Sequence, residues 1–128
     1  MQVDALSRHN LELTESMRTR SQHGTLLEVL DETKTPMGGR KLVNWMLNPL
    51  MKKDLIIQRL DSVDELLDKS HVRKSIIDIL SEIGDIERII SKLGTNKAYP
   101  RDLIALKNYL SLAKPLAEHI SNCDAELL

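Results

Sequence analysis

Aromatic residues are nearly missing from this sequence. The 128 residues include no phenylalanine, and the aromatic side chains are Trp45, Tyr99 and Tyr109. So few rings argue against a stacking surface for single-stranded nucleic acid. They also argue against an all-β fold, because strands favour aromatic and β-branched residues. Apolar residues still make up 41% of the chain, mainly as Leu, Ile, Val, Met and Ala, so a domain with its own core can form.

Cysteine, excess charge and long apolar runs are scarce as well. Cys123 is the single cysteine, which excludes a disulfide within the chain and indicates a reducing compartment. The net charge is −1, from 18 basic and 19 acidic residues, whereas a domain that neutralises many DNA phosphates usually has a basic excess. No apolar run approaches the roughly 18 residues of a membrane span, and residues 1–4 lack the pattern of a signal peptide. We therefore predict a cytoplasmic chain without membrane contact.

Apolar periodicity predicts an all-α fold, an irregular bundle of five or six helices that follows a short, poorly packed N-terminal segment. We divide the chain into a connector, residues 1–24, and a helical core, residues 25–128. Within the connector, the alternation at residues 11–14 is the pattern of a short strand, and residues 18–24 are predicted to be a loop. The predicted helices cover residues 25–31, 36–47, 54–67, 72–83, 86–93 and the stretch from residue 100 to residue 120.

Local signals mark where these helices begin and end. Thr35 is a good N-cap and Pro36 suits the first helical position, while Pro49 ends that helix at the residue before it. Pro115 cannot donate a backbone hydrogen bond, so we expect a kink or a break near residues 111–115. A heptad-like apolar seam is predicted along the last helical stretch and consists of Leu103, Leu106, Leu110, Ala113, Ala117 and Ile120.

No residues in this sequence have the spacing of a catalytic, cofactor or metal site. The run Met37-Gly38-Gly39-Arg40-Lys41 lacks the spacing of a phosphate-binding loop, and we interpret its glycines as letting the first helical turn approach a neighbouring helix. Cys123 has no base beside it in the sequence. The histidines lack zinc-ligand spacing with one another or with Cys123; they are His9, His23, His71 and His119.

Each of two charged runs can be interpreted either as ordinary protein surface or as a functional site. The acidic run is interpreted as a solvated helix face, since acid–base catalysis of the glycosidase type needs carboxylates across a cleft; it comprises Asp61, Asp64, Glu65 and Asp68. The densest basic patch is interpreted as a soluble surface or a contact to another domain, with a phosphate contact as the alternative. It comprises Arg40, Lys41, Lys52 and Lys53.

Short motifs in a fixed order resemble the core, or lever, domain of the MutS family of DNA mismatch-repair proteins. Residues 4–13, DALSRHNLEL, are similar to the family segment D-A-A-T-R-R-N-L-E-L, and residues 35–45 resemble T-P-M-G-x-R-x-L-x-x-W. The further matches are residues 25–31, 48–50, 59–63, 84–88 and 100–103, so that seven signatures extend over about 110 residues. The chain departs from the family at Tyr99, where a small polar residue is common, and at Asn44, where a basic one is common.

The resemblance implies a function for a longer parent protein. MutS proteins recognise mismatched duplex DNA with ATP, using a mismatch-reading domain with a Phe-x-Glu motif, a clamp domain and a C-terminal ATPase with a phosphate-binding loop. This chain has neither motif, so we interpret it as a fragment that holds the first part of the core domain. The implied role is structural and allosteric, a link between ATPase and clamp without catalysis. ATP and Mg, DNA contacts and dimer formation are expected of the parent.

The alternative is an independent helical adaptor that binds partner helices in a groove, and an isolated enzyme is a more distant one. A fragment should leave an apolar stripe without its partner, so we expect exposed Leu and Ile surface, self-association or both. An adaptor should instead be a monomer with a closed core.

The stripe on residues 54–67 gives a first prediction of stability. Leu60 lies in the middle of it, and if this face is buried, Leu60→Ala should cost about 2–5 kcal/mol in a denaturant melt.

Overall fold

The computed structural model describes residues 5–128, apart from the side chains of Ala5, Arg8 and His9, so residues 1–4 lie outside the description. The described part is all-α and contains no strand. Its elements are α1 (Ala5–Asn10), α2 (Leu26–Leu30), α3 (Pro36–Leu47), α4 (Lys53–Asp68), α5 (Ser70–Ser81), α6 (Ile86–Gly94), α7 (Pro100–Ser111) and α8 (Ala113–Ile120). Among these helices, none is both long and apolar enough to cross a membrane.

The predicted strand at residues 11–14 is wrong. These residues form turns and bends, and Glu12 has a positive φ of 45°, which is incompatible with extended pairing. The carbonyls of Glu12 and Leu13 instead accept hydrogen bonds from the N–H groups of Leu26 and Leu27, at 3.3 and 3.0 Å. The connector thus satisfies free donors at the start of α2. The loop at residues 18–24 is confirmed, whereas α1 was not predicted.

Side-chain caps form where the sequence indicates them. Thr35 Oγ1 accepts from the Gly38 N–H at 3.0 Å, with Pro36 as the first residue of α3. Asp85 accepts from the Arg88 N–H at 3.0 Å and caps α6 in the same way. The caps fix the directions in which α3 and α6 begin, because each holds an otherwise free backbone donor.

The expected interruption near Pro115 is a complete break. α7 ends at Ser111 and α8 begins at Ala113, so this region is two helices rather than one. Together with α1, the break explains why the chain has more helices than the five or six predicted. The heptad seam is therefore not a continuous buried stripe, since Leu103 and Leu110 are 51% and 57% exposed.

The packing is a chain of neighbouring helix pairs. α5 packs against α4 and α8, and α7 packs against α6 and α8. The core is small: the buried apolar side chains in the described part are Leu27, Val72, Ile83 and Ile89, each no more than 9% exposed. Because so little apolar surface is buried, helix caps and ion pairs make up a large share of the interactions that fix how the helices are arranged.

The apolar stripe of α4 faces solvent. Its side chains are between 39% and 60% exposed at Ile56, Ile57, Leu60, Val63 and Leu67. The exposed Leu and Ile surface expected of a fragment is therefore present, and the closed core expected of an adaptor is not. The assumption that Leu60 is buried is wrong, because Leu60 is 60% exposed.

The exposures of the side chains in the structure reverse the prediction for Leu60. Leu60 is 60% exposed and Ile89 is 8% exposed. We expect Leu60→Ala to change the free energy of unfolding by no more than about 0.5 kcal/mol, whereas Ile89→Ala should cost about 2–5 kcal/mol, because only Ile89 leaves a cavity. Urea denaturation followed by circular dichroism measures both. Equal losses for the two variants would contradict the facing of α4.

Candidate functional site: ion pairs that join the sequence motifs

The side chain that connects distant parts of the sequence most directly is Arg40, in the second turn of α3. The cap at Thr35 and Pro36 sets the register of this helix, which directs the guanidinium toward the start of α6. Gly38 and Gly39 precede Arg40 in the first turn of the same helix. A Cβ at Gly38 would meet Thr35 Oγ1 at 3.0 Å, and one at Gly39 would meet Thr33 Oγ1 at 3.4 Å. The glycines admit the preceding loop, which corrects the expectation of a neighbouring helix.

The Arg40 guanidinium binds two carboxylates at the start of α6. Nη1 and Nη2 donate to the two oxygens of Asp85, both at 2.8 Å. Nε and Nη2 also donate to Glu87 Oε2, at 3.1 and 2.6 Å. A planar guanidinium matches a carboxylate in this two-bond geometry, so the contact fixes orientation as well as distance. We call Arg40, Asp85 and Glu87 the arginine fork.

Asp85 has two structural roles in the arginine fork. It receives Arg40 from α3 and caps α6 at the Arg88 N–H. The hydrogen bonds from Arg40, more than any other cause, lower the pKa of Asp85 to about 2. The side chain is 20% exposed, so it stays charged in a partly sheltered place. Loss of Arg40 would therefore disturb both an interhelical contact and a helix start.

A second ion pair joins α6 to α7. Lys92 Nζ donates to Asp102 Oδ1 at 2.9 Å, and the Tyr99 N–H donates to Asp102 Oδ2 at 2.9 Å. The hydrogen bond from the Tyr99 backbone, followed by the one from Lys92, lowers the pKa of Asp102. Asp102 thus binds the backbone N–H of the N-cap residue Tyr99, whose own side chain makes no capping hydrogen bond.

Gly84 permits a close contact between the arginine fork and α7. A Cβ at this position would overlap the Tyr109 ring, 2.6 Å from Cζ. Glycine lets the backbone before Asp85 lie directly against that ring. The motif at residues 84–88 is thus packed on one side and ion-paired on the other.

The predicted basic patch is divided between different contacts. Arg40 belongs to the arginine fork, while Lys41 Nζ lies 5.8 Å from the centre of the Trp45 ring. The Arg59 guanidinium lies closer to the same ring, at 3.8 Å. Lys52 and Lys53 are exposed. The contact of Arg40 joins two helices of this chain, so it is neither of the two interpretations of the patch. For Lys52 and Lys53 both interpretations stay predictions.

The acidic run is only partly a solvated face. Asp61, Asp64 and Asp68 are exposed, but the side chain of Glu65 is 13% exposed and binds Lys69 Nζ at 2.6 Å. It also accepts from the N–H groups of Asp124 and Ala125. The prediction fails at Glu65 because two of its partners, the N–H groups of Asp124 and Ala125, lie 59 and 60 residues away, where helical periodicity carries no information.

The histidines and Cys123, considered as catalytic or metal-binding residues, lie apart from one another. His23 pairs with Glu28 at 2.8 Å, and this contact raises the pKa of His23. Cys123 is partly exposed, and His71 and His119 lie on different helices. Over residues 5–128, no group of three or more His, Cys, Asp or Glu side chains is arranged to hold a metal ion. The His9 side chain lies outside the described atoms.

Known proteins match this chain over nearly its whole length. The family model for MutS domain III matches residues 7–128. Proteins named DNA mismatch repair protein MutS are 39% identical in Chlorobaculum parvum and 43% identical in Clostridium perfringens, over 128 residues and 100% of this chain. The MutS of Ruminiclostridium cellulolyticum is 46% identical over 135 residues and 99% of this chain. The chain spans 14 to 16% of the length of these relatives.

Fold and ion pairs define an all-helical domain whose charged side chains connect helices far apart in sequence. The chain belongs to the MutS family, in which it corresponds to domain III. The motifs of residues 35–45, 84–88 and 100–103, which carried the resemblance, supply Arg40, Asp85, Glu87 and Asp102 of the two ion-paired contacts.

The arginine fork predicts how stability depends on pH. The folded-state pKa of Asp85 lies near 2, below its usual value of 3.8, so the stabilisation is fully present above about pH 4 and is lost as the pH falls toward 2. Arg40→Ala should lower the melting temperature at pH 6, and this difference from the unmodified chain should shrink at pH 2.5. Lys107→Ala is the control, since Lys107 is an exposed cation on α7. A difference independent of pH would contradict the role of Asp85.

Proposed function

We propose that this chain is the stiff helical link of a MutS-type protein that recognises mismatched duplex DNA with ATP. Its role is to connect the part that hydrolyses ATP with the clamp that holds DNA, without catalysis of its own. The observation that carries this proposal is the arginine fork, in which one side chain of α3 holds the start of α6 through two carboxylates. The family match over residues 7–128 favours this link over an independent helical adaptor.

A mechanical link needs length and stiff joints. α4 has 16 residues, and at about 1.5 Å per residue it extends over about 24 Å. Helices of this length transmit displacement only if their relative orientation is fixed. The arginine fork fixes α3 against α6, and the pair of Lys92 and Asp102 fixes α6 against α7. These contacts join α3, α6 and α7 in a continuous series of ion pairs, and such a series is one physical route for energetic coupling.

The parent protein's ligands are assigned to its other regions. We propose that ATP and Mg bind in an ATPase part, that mismatched DNA is gripped by other domains, and that the parent is a dimer. The net charge of −1 supports the assignment for DNA, because phosphate binding gains most from a basic excess. Arg40 is one of the four basic residues considered for a phosphate contact, and its guanidinium is occupied by two carboxylates.

A measurement of DNA binding by this chain distinguishes a helical link from a domain that recognises mismatches itself. We expect this 128-residue chain to show no preference for mismatched over matched duplex in fluorescence anisotropy, and any weak binding should fall equally for both duplexes as salt rises. The two duplexes control for each other, since they differ at one base pair. Selective binding of the mismatched duplex would overturn the proposed division of labour.

Coupling is tested in a full-length MutS protein that carries this segment. Arg40→Ala should leave mismatch binding without nucleotide within about twofold and should weaken the effect of ATP on DNA release by about 5-fold or more, the range of typical coupling energies. Arg40→Lys keeps the charge but loses the two-bond geometry, so it should behave like Arg40→Ala.

Lys107→Ala is the matched control for this measurement and should retain the ATP effect. Retention of the full ATP effect in both Arg40 variants would show that the arginine fork is not part of the link.

A further inference from the structure

The chain passes twice between two groups of packed helices. One group consists of α4, α5 and α8, and the other consists of α6 and α7. The first crossing is the linker from α5 to α6, residues 82–85, and the second crossing is Leu112, between α7 and α8. If the helices themselves stay straight, any change in the angle between the two groups bends the backbone at both crossings.

The two crossings meet at Tyr109, in the last turn of α7. At the second crossing, the Leu112 N–H donates to the carbonyl of Tyr109 at 3.1 Å. At the first crossing, the Tyr109 ring lies against the backbone of Gly84, where a Cβ would be 2.6 Å from Cζ and 2.9 Å from Cε2. Cβ atoms do not approach other atoms so closely, so this contact is possible only with glycine.

A buried side chain and a tight turn support the same linker. Ile83, the residue before Gly84, is 9% exposed. The N–H groups of Glu82 and Ile83 donate to carbonyls at the end of α5, both at 3.1 Å. The linker therefore cannot leave the Tyr109 ring without exposing Ile83 to water, which costs free energy. Asp85 follows Gly84 directly, so these contacts also set the position of its carboxylate.

We propose that Tyr109 is a positioning residue, whose ring on Gly84 fixes the angle between the two helix groups and holds Asp85 within reach of Arg40. The inference rests on the proposed function of the chain as a helical link, and it names the joint that makes this link stiff. Arg40 attaches α3 to the start of α6, and Tyr109 attaches the end of α7 to the same stretch of backbone. A linker without the ring is freer to turn, which disrupts the two-bond contact with Arg40, because that contact requires a fixed orientation.

The carboxylate of Asp85 reports on this joint in the 128-residue chain. The charged groups around it are Arg40 and Arg88, with Glu87 on the same guanidinium. In an NMR titration of the carboxyl groups, the pKa of Asp85 should be near 2 in the unmodified chain and should rise toward 3.8 in Tyr109→Ala, because the hydrogen bonds from Arg40 loosen. Tyr109→Phe keeps the ring and should keep the low pKa.

Two controls distinguish a local effect from general loss of structure. Leu110→Ala removes an exposed neighbour on α7 and should leave the titration unchanged. Asp102 is the internal control, because its partners, Lys92 and the Tyr99 N–H, lie at the opposite ends of α6 and α7; its pKa should stay lowered in every variant. If circular dichroism shows that Tyr109→Ala loses helix, Tyr109→Leu takes its place, since it keeps an apolar side chain without the ring.

The effect of ATP in a full-length MutS protein that carries this segment separates this inference from the proposed function. Tyr109→Ala should weaken the effect of ATP on DNA release by about 5-fold or more, as expected for Arg40→Ala, and Tyr109→Phe should retain it. The inference alone is overturned if a folded variant without the ring keeps the pKa of Asp85 near 2, or retains an ATP effect that Arg40→Ala loses. If Arg40→Ala and Tyr109→Ala both retain the ATP effect, the proposed function fails, and the inference fails with it.

Discussion

The bond between Arg40 and Asp85 is the constraint on which the arrangement of this domain depends. Asp85 caps α6 and at the same time receives the guanidinium of α3, so the start of one helix and the orientation of another are fixed by the same carboxylate. The two partners are 45 residues apart in the sequence. A contact of this kind matters more here than in a protein with a large core, because few apolar side chains are fully buried.

The small core and the exposed stripe of α4 both show that much of the apolar surface of this chain is not buried. Leu60 and Val63 have the periodicity of a buried helix face, yet they are 60% and 55% exposed. A stripe of this size is normally covered in a stable protein, and the relatives that match the chain are much longer than it is. Leu127 and Leu128 lie beside the part of α4 nearest Trp45, where they line an open apolar groove.

Local signals in the sequence were sufficient for most of the helices. Thr35 with Pro36, Asn48 with Pro49, and Gly84 with Asp85 act within one turn of the backbone, so their effects are readable without knowledge of the fold. The strand predicted at residues 11–14 failed for the opposite reason. Its alternation is a weak signal, and the carbonyls of Glu12 and Leu13 found donors at the start of α2 instead.

The sequence by itself determined the all-α class, the positions of the main helices and the membership of the MutS family, because each rests on local patterns or on ordered motifs. The tertiary structure alone decided which charged residues pair. These contacts are Arg40 with Asp85, Lys92 with Asp102, and Glu65 with the N–H of Asp124, and each joins residues ten or more positions apart in the sequence. It also decided that the stripe of α4 is exposed, since periodicity shows which residues share a face but not whether another element packs against it.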